Sequence, residues 1–454
     1  MPKQHITKET SNQEEQGIVV PLELEGLRIL RQEVQPDGTI RIEVIAITDR
    51  ARCTHCQSMC VKQHDVRKLR KRDVPLREHR VELVLYKRRF WCLRLSLAFT
   101  EPDSACGRGK RTTVRLREVI GKQASSRPIA HVASEYGVGP RFVQGSLEAV
   151  ANLQLVKRGL SVDEGKPLPT PRFLGIDEFA RRKGHRYDTI LCDLDARQVL
   201  DVSAGRKQEE VVRLLERLTD CDVVEAVSMD MSESFRGAVQ LCLPRARIVA
   251  DHFHVIQHIG KAVKQVVTRW AKSEVGKSAL KGHQHLFLRN QEDLSIEEEQ
   301  TRASLARAFP EIAGACQLKE DLRSWYATAS AATAANGLDA WIASVNRDGP
   351  AEMCKALSAF RNWRREILAF FDFLPTRLSN GEVSGKNNRT KAIMRQGYGY
   401  RNRRNLRMRI LLEVASWISV TFTLKDGEPR NIVFLLFICS INSKTIEHYH
   451  HVMM

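Results

Sequence analysis

Phe173-Leu-Gly-Ile-Asp177, Tyr187-Asp-Thr-Ile-Leu-Cys-Asp-Leu-Asp195, Gln198-Val-Leu-Asp-Val-Ser203, Val223-Val-Glu-Ala-Val-Ser-Met-Asp230 and Arg247-Ile-Val-Ala-Asp251 are five apolar runs in one stretch of a 454-residue chain. Each is rich in β-branched and aliphatic residues and is bounded by charged or turn-forming ones, which predicts strands. Two residues separate the second run from the third, which predicts a hairpin. Between the third and fourth runs, Gln208 to Leu218 carries Val211, Val212, Leu214, Leu215 and Leu218 at helical spacing. A second helix over about Ser234 to Leu243 precedes the fifth run.

The predicted order β-β-β-α-β-α-β is that of the ribonuclease H-like α/β fold. In that fold the first acid lies on strand one and the second follows strand four, and Asp177 and Asp230 take those places. Each is expected at the tip of its strand, where a buried element holds a carboxylate rigidly. Rigid carboxylates suit magnesium, and phosphodiester cleavage with strand transfer on this fold uses two such ions. A lone aspartate at a strand end is more often a turn residue, but here the strand order supports both. Glu178 follows Asp177 directly and is expected on the opposite face, in a supporting role at most. Asp251-His-Phe-His254 places an acid and a histidine three apart, suited to metal contact or to a hydrogen-bonded corner beside the site.

Outside this stretch the composition points to a polyanionic partner. Lys and Arg number 72 against 54 Asp and Glu, a net charge of +18, which is most simply met by DNA or RNA. No run approaches the ~20 apolar residues of a membrane span, and Ile432 to Ile441 is too short. The polar N-terminus lacks a signal-peptide pattern. A cytoplasmic, nucleoid-associated protein without a membrane partner is expected. The 11 cysteines are scattered, with one Cys-x-x-Cys pair, which suits reduced thiols and a zinc site better than a disulfide framework.

The expected organisation starts with a polar, disordered lead over residues 1–27. A strand-rich module over 28–108 alternates in Ile40-Arg-Ile-Glu-Val-Ile-Ala-Ile and Val81-Glu-Leu-Val-Leu-Tyr. A helical region over 109–160 and a Pro-rich, charged linker over 161–171 lead to the catalytic domain at 172–418. A helical insertion spans about 255–375, with Trp270, Trp325, Trp341 and Trp363 as core anchors, and a tail follows over 419–454. Within the helical region, Ser126 to Ala149 resembles a helix-turn-helix. Ile129, Val132 and Ala133 line the first helix, Gly137 makes the turn, and Val138, Phe142 and Val143 pack the second. Such a unit lays its second helix in a major groove, with Arg141 and Gln144 as candidate contacts. Near the C-terminus, nine Lys and Arg and no acid lie between Lys386 and Arg409, with Tyr398 and Tyr400 interleaved. Lys386, Arg389, Lys391, Arg395, Tyr398 and Arg401 are candidate DNA contacts, because cations meet phosphates and aromatic rings stack on bases.

Leu174-Gly-Ile-Asp-Glu-Phe-Ala-Arg-Arg-Lys-Gly-His-Arg-Tyr187, Ser228-Met-Asp230, Leu243-Pro-Arg-Ala-Arg-Ile-Val-Ala-Asp-His-Phe-His-Val255 and Ser379-Asn-Gly381 with Gly397-Tyr-Gly-Tyr-Arg-Asn402 resemble the ISL-three family of bacterial insertion-sequence transposases over about residues 28–418. The resemblance implies an Asp-Asp-Glu enzyme that binds terminal inverted repeats, cuts DNA with magnesium and joins the ends to a target. It implies Asp177 and Asp230 as the first two acids and Asp251 with His254 as a signature near the site. Pairing two DNA ends implies a homo-oligomer on double-stranded DNA.

The sequence departs from the family in three places. The family pattern Ser-Asn-Gly-x-Val-Glu-Gly-x-Asn-Asn puts the third acid at position 384, which is serine here. Glu382, two residues earlier, lies about 200° around a helix and serves as the third acid only if the segment is not yet helical there. The zinc ribbon implied by the resemblance has Cys53, Cys56 and Cys92 but lacks the next cysteine, so Cys60, His55, His64 or Cys106 is left as a substitute ligand. The tail after about Leu424 matches nothing in the family pattern, as a frameshift or read-through would produce. The expected function is an insertion-sequence transposase impaired at Ser384. The alternative is a transposase-derived DNA-binding protein or repressor without catalysis.

Overall fold

The computed structural model describes residues 24–102, 105–106, 110–182, 186–374, 378, 380–397, 400, 402–413, 422–423 and 429–430. The chain divides into two compact units, Met1–Val150 and Ala151–Met454.

The first unit is built on strands β1 (Leu27–Val34), β2 (Ile40–Ala46), β3 (Ala51–Arg52), β4 (Met59–Cys60), β5 (Gln63–Leu76), β6 (His79–Cys92) and β7 (Leu97–Thr100). The main sheet runs β1-β2-β6-β5, with β7 also on β6. The period of two puts Ile42 and Val44 of β2 with Val81, Leu83 and Leu85 of β6 in one buried core. A second small core gathers Ala51, Cys53, Cys60, Phe90, Cys92 and Phe99. Helices α1 (Val114–Ser126), α2 (Ile129–Tyr136) and α3 (Pro140–Val156) follow. Thr113 caps α1 by accepting from the Leu116 amide at 3.2 Å. Gly137 ends α2 at φ +54°, a conformation that side chains resist. Val132, Ala133 and Val143 are buried as their spacing predicted.

The second unit carries β8 (Phe173–Arg182), β9 (Arg186–Asp193), β10 (Gln198–Ala204), β11 (Ala226–Met229) and β12 (Arg247–Ala250), with α4 (Gln208–Leu215) and α5 (Glu233–Cys242) in the last two crossovers. The sheet order is β10-β9-β8-β11-β12. The β8–β9–β10 meander is antiparallel, and β11 runs parallel to both β8 and β12. A helical block follows: α6 (His252–Ala271), α7 (Glu274–Ala279), α8 (Ile296–Ala308), α9 (Pro310–Thr328), α10 (Ala334–Asp348), α11 (Ala351–Asn362) and α12 (Arg364–Asp372). Trp325, Trp341 and Trp363 are buried in it. Trp270 is only half-buried, its indole N–H donating to Glu311 at 2.8 Å. Helices α13 (Gly381–Gln396) and α14 (Arg403–Glu413) return to the sheet, and β13 (Phe422–Thr423) pairs with β14 (Pro429–Arg430). No helix among the described residues is long and apolar enough to cross a membrane.

Three expectations change. Asp177 does not end its strand: β8 continues to Arg182 because β9 pairs with it as far as Arg186. The fourth run is strand only from Ala226, since Cys221–Val223 forms a turn of 3-10 helix capped by Asp220. The segment 161–171 is partly packed, not a free linker. Leu168 is buried and its amide donates to the Arg217 carbonyl at 2.7 Å. Of the expected lead, residues 1–23 lie outside the described residues, as does most of the tail after 418.

Candidate metal-binding active site

The parallel register decides which acids meet. Ile176 of β8 lies opposite Met229 of β11, and Met229 lies opposite Ala250 of β12. The residue that follows each of these is an aspartate: Asp177, Asp230 and Asp251. Adjacent strands are about 4.8 Å apart, so three carboxylates stand in one row where the parallel ladder ends. The carboxyl ends of parallel strands are where open α/β sheets bind ligands.

The three acids have different surroundings. Asp177 and Asp251 are buried, whereas Asp230 is about a quarter exposed at its side chain (23%). His254, on the first turn of α6, brings Nδ1 to 2.9 Å from Asp251 Oδ2 and 2.6 Å from Asp230 Oδ1. Burial alone would lower the His254 pKa, but the bonds to Asp230 and Asp251 outweigh it and raise it to about 10. The ring is therefore an imidazolium that ties these two acids together. Burial, then the nearby Asp230 charge, lift Asp177 to about 7. Asp251 is held below the ordinary carboxylate value; burial opposes this but is outweighed by His254, His252 and the Asn380 amide.

Helix α13 closes the row from the other side. The Asn380 amide donates to Asp251 Oδ1 at 3.0 Å, and its side-chain nitrogen donates to the Ile176 carbonyl at 2.8 Å. Asn387 donates from Nδ2 to Asp177 Oδ2 at 2.5 Å, and the Glu178 amide donates to Asp177 Oδ1 at 2.7 Å. Gly175 makes this approach possible: a Cβ there would fall 2.8 Å from Val383 Cγ2. The motif segments holding Asn380 and Asn387 were legible, but their roles were not, because an asparagine carries no charge pattern to flag it. Glu178 turns away, as its position on the strand predicted, and pairs with Arg206 at 2.8 Å.

Ligand atoms of Asp177, Asp230 and His254 lie within 4.8 Å of one another. Two carboxylates this close, one buried, repel each other and fit a divalent cation between them. An imidazolium has no free lone pair to offer, so His254 would have to lose its proton before it could join Asp177 and Asp230 around a cation. Glu382 and Ser384 both lie within α13, which is helical from Gly381 onward; their side chains lie outside the described residues. The non-helical segment that Glu382 needs in order to reach the acids is therefore not found. Position 384 lies four residues after Asn380 and three before Asn387, the spacing of neighbours on one helix face.

A family model described as Transposase, that of the ISL3 group, matches residues 174–410, just over half of the chain. The chain belongs to the ISL3 transposase family. It is 28% identical over 357 residues to the transposase for insertion sequence element IS1001 of Bordetella parapertussis, covering 77% of this chain and 85% of that protein. It is 24% identical over 258 residues to the transposase for insertion sequence element IS1557 of Mycobacterium tuberculosis, covering 51% of this chain and 57% of that protein.

Elsewhere in this transposase the predicted residues separate. Sulfurs of Cys53, Cys56 and Cys92 lie within 4.8 Å of one another, with Cys56 to Cys92 at 3.6 Å. The turn 53–58 of the β3–β4 hairpin and the end of β6 bring them together. Cys60 lies outside that group of three but in the same small core, where burial, then the Cys92 thiol, raise its pKa. Cys106 lies in the other core, and His64 stacks on Trp91. On α3, Arg141 is exposed, and Gln144 is half-buried with its amide 3.3 Å from Glu148. On α13, Lys391 and Arg395 are exposed, but Lys386 is buried and Arg389 half-buried, since that flank of the helix packs inward. Tyr398 and Arg401 lie outside the described residues. The basic run is not uniformly a surface: Arg407 is buried against Asp201, and Arg403 and Arg404 pair with Glu164 and Asp163.

Proposed function

We propose that this transposase cuts and joins DNA at the carboxylate row of an RNase H-like second unit, with Asp177 and Asp230 holding magnesium. The observation that carries the proposal is the shared register that sets both acids side by side where the parallel ladder of β8 and β11 ends. A bound cation pair there would supply Lewis-acid stabilisation of the attacking and leaving oxygens. The chain's own part is to orient the carboxylates. Asn387 and the Glu178 amide fix Asp177, His254 fixes Asp230, and Asp251 anchors His254 and α13.

The third acid is missing at Ser384, and a neutral hydroxyl is a poor magnesium ligand, so this copy is impaired in cleavage. The test is magnesium-dependent cleavage of a labelled duplex carrying the parent element's end. Ser384→Glu is expected to cut faster than the natural chain, and Asp177→Ala not to cut in either background. No gain from Ser384→Glu would remove the impairment; cutting by Asp177→Ala would remove the site. If the natural chain binds the end yet only Ser384→Glu cuts, the chain acts as a DNA-binding relic of a transposase.

The first unit serves as the DNA-binding part. Its α2–Gly137–α3 segment acts as a helix-turn-helix, with Arg141 and Gln144 toward the groove, and Lys391 and Arg395 of the second unit add phosphate contacts. Pairing two ends makes the active form at least a dimer. The four thiols of Cys53, Cys56, Cys60 and Cys92 serve as a structural zinc site. Tetrahedral zinc with bonds of about 2.3 Å separates its sulfurs by roughly 3.8 Å, close to the 3.6 Å between Cys56 and Cys92.

A further inference from the structure

The long edge strand of the first unit carries a row of cations that nothing in the catalytic site uses. Lys68, Arg70 and Arg72 of β5 lie opposite Tyr86, Val84 and Glu82 of β6. Alternate residues share a face of the sheet, about 6.8 Å apart along the strand. The acids of that face are already taken: Glu33 by Arg31 at 2.9 Å, Glu82 by Arg41 at 3.2 Å and Glu43 by the Tyr86 hydroxyl at 3.0 Å. Arg70 stands 4.0 Å from Glu82, and Lys68 lies over the Tyr86 ring at 4.8 Å.

The row ends on the turn between α2 and α3. Arg72 donates to the carbonyls of Tyr136 and, at 3.2 Å, of Gly137. A Cβ at Gly137 would fall 3.5 Å from Arg80 Nη2 and 3.9 Å from Arg72 Nη2, so two guanidinium groups flank that turn. The neighbouring residues weld strand and helices together. The Thr113 amide donates to the Arg72 carbonyl at 3.0 Å, and buried Asp73 accepts from Thr113 Oγ1 at 2.7 Å and Arg115 Nε at 2.8 Å. Edge strands are often guarded by a charge or two. Guarding explains neither the pair of guanidiniums at the turn nor the fixed attachment.

We propose that Lys68, Arg70 and Arg80 form a phosphate-contacting ridge, held by Arg72 and Asp73 in fixed register with α3, so that sheet and helices grip one DNA duplex together. The occupant is the sugar-phosphate backbone beside the groove that α3 enters. This rests on the reading of the first unit as the DNA-binding part.

The test uses the full chain and a labelled duplex carrying the parent element's end, beside a scrambled duplex of equal length, over a range of salt. Each phosphate contact contributes about 0.9 to the slope of log affinity against log salt. Lys68→Ala/Arg70→Ala/Arg80→Ala is expected to flatten the slope by about 2.7 and to weaken both duplexes alike, with thermal stability unchanged. Lys264→Ala/Lys277→Ala/Lys281→Ala removes the same charge from the helical block and should leave the slope as it was. An unchanged slope in the first variant while the natural chain binds would overturn the ridge and spare the DNA-binding reading. An equal fall in both variants would overturn it as a mere net-charge effect. Failure of the natural chain to bind either duplex would overturn both the ridge and the reading beneath it.

Discussion

Gly175 is the place where one carbon atom should disturb the carboxylate row without touching an acid. A Cβ built there would lie 2.8 Å from Leu194 Cδ2, 2.8 Å from Val383 Cγ2 and 3.1 Å from Asn380 Oδ1. Carbon atoms prefer about 3.5–4.0 Å, so each neighbouring carbon must yield by roughly 0.7 Å or more. Two of the three contacts are with α13, which also carries Asn387 one turn beyond Val383. Gly175→Ala should therefore push α13 away from β8 and loosen the bond from Asn387 to Asp177. Overpacking of this kind costs about 1–3 kcal/mol, read from the urea midpoint of the second unit. Val383→Ala removes two methyl groups from the collision. The double variant should recover about half or more of the Gly175→Ala loss, so the two changes should not add. Strict additivity, or a Gly175→Ala protein as stable as the natural one, would refute the close approach of α13 to β8.

Three further outcomes follow from the same geometry. Cys60→Ser should turn a four-thiolate cobalt spectrum into a three-thiolate one on the cobalt-substituted chain; an unchanged spectrum would exclude Cys60 as a ligand. Arg407→Ala strands Asp201, which is wholly buried, although Arg217 still reaches it at 2.6 Å. Breaking a buried pair costs about 3–5 kcal/mol, and the remaining Arg217 should hold the loss, measured by urea unfolding, to the lower end. Asn387→Ala should weaken manganese binding by about tenfold or more, as loss of a bond that orients a metal ligand does; unchanged affinity would leave Asn387 a packing residue only.

Much of the second unit was legible because its strands are short apolar runs with punctuating turns, and the acids stand at fixed offsets from them. The register was not legible, since no local pattern states which residue of β8 faces which of β11. That register is what places Asp251 in the same row as Asp177 and Asp230. The length of β8 was misjudged at Asp177 for a related reason: a polar residue reads as a strand end, while pairing with β9 carries the backbone on to Arg182. In the first unit the Cys-x-x-Cys pair announced itself, but Cys60 comes into the same core only through the β3–β4 hairpin. The basic run after Lys386 misled by composition. Charge alone cannot tell Arg407, buried against Asp201, from exposed Lys391 and Arg395.

The most direct measurement is manganese binding to the full chain, followed by electron paramagnetic resonance, for the natural protein beside Asp177→Asn, Asp230→Asn and Asp195→Asn. The paired carboxylates predict that the first two substitutions abolish binding and that exposed Asp195 is dispensable. Manganese held as tightly by Asp177→Asn as by the natural chain would contradict the assignment of the metal to this row.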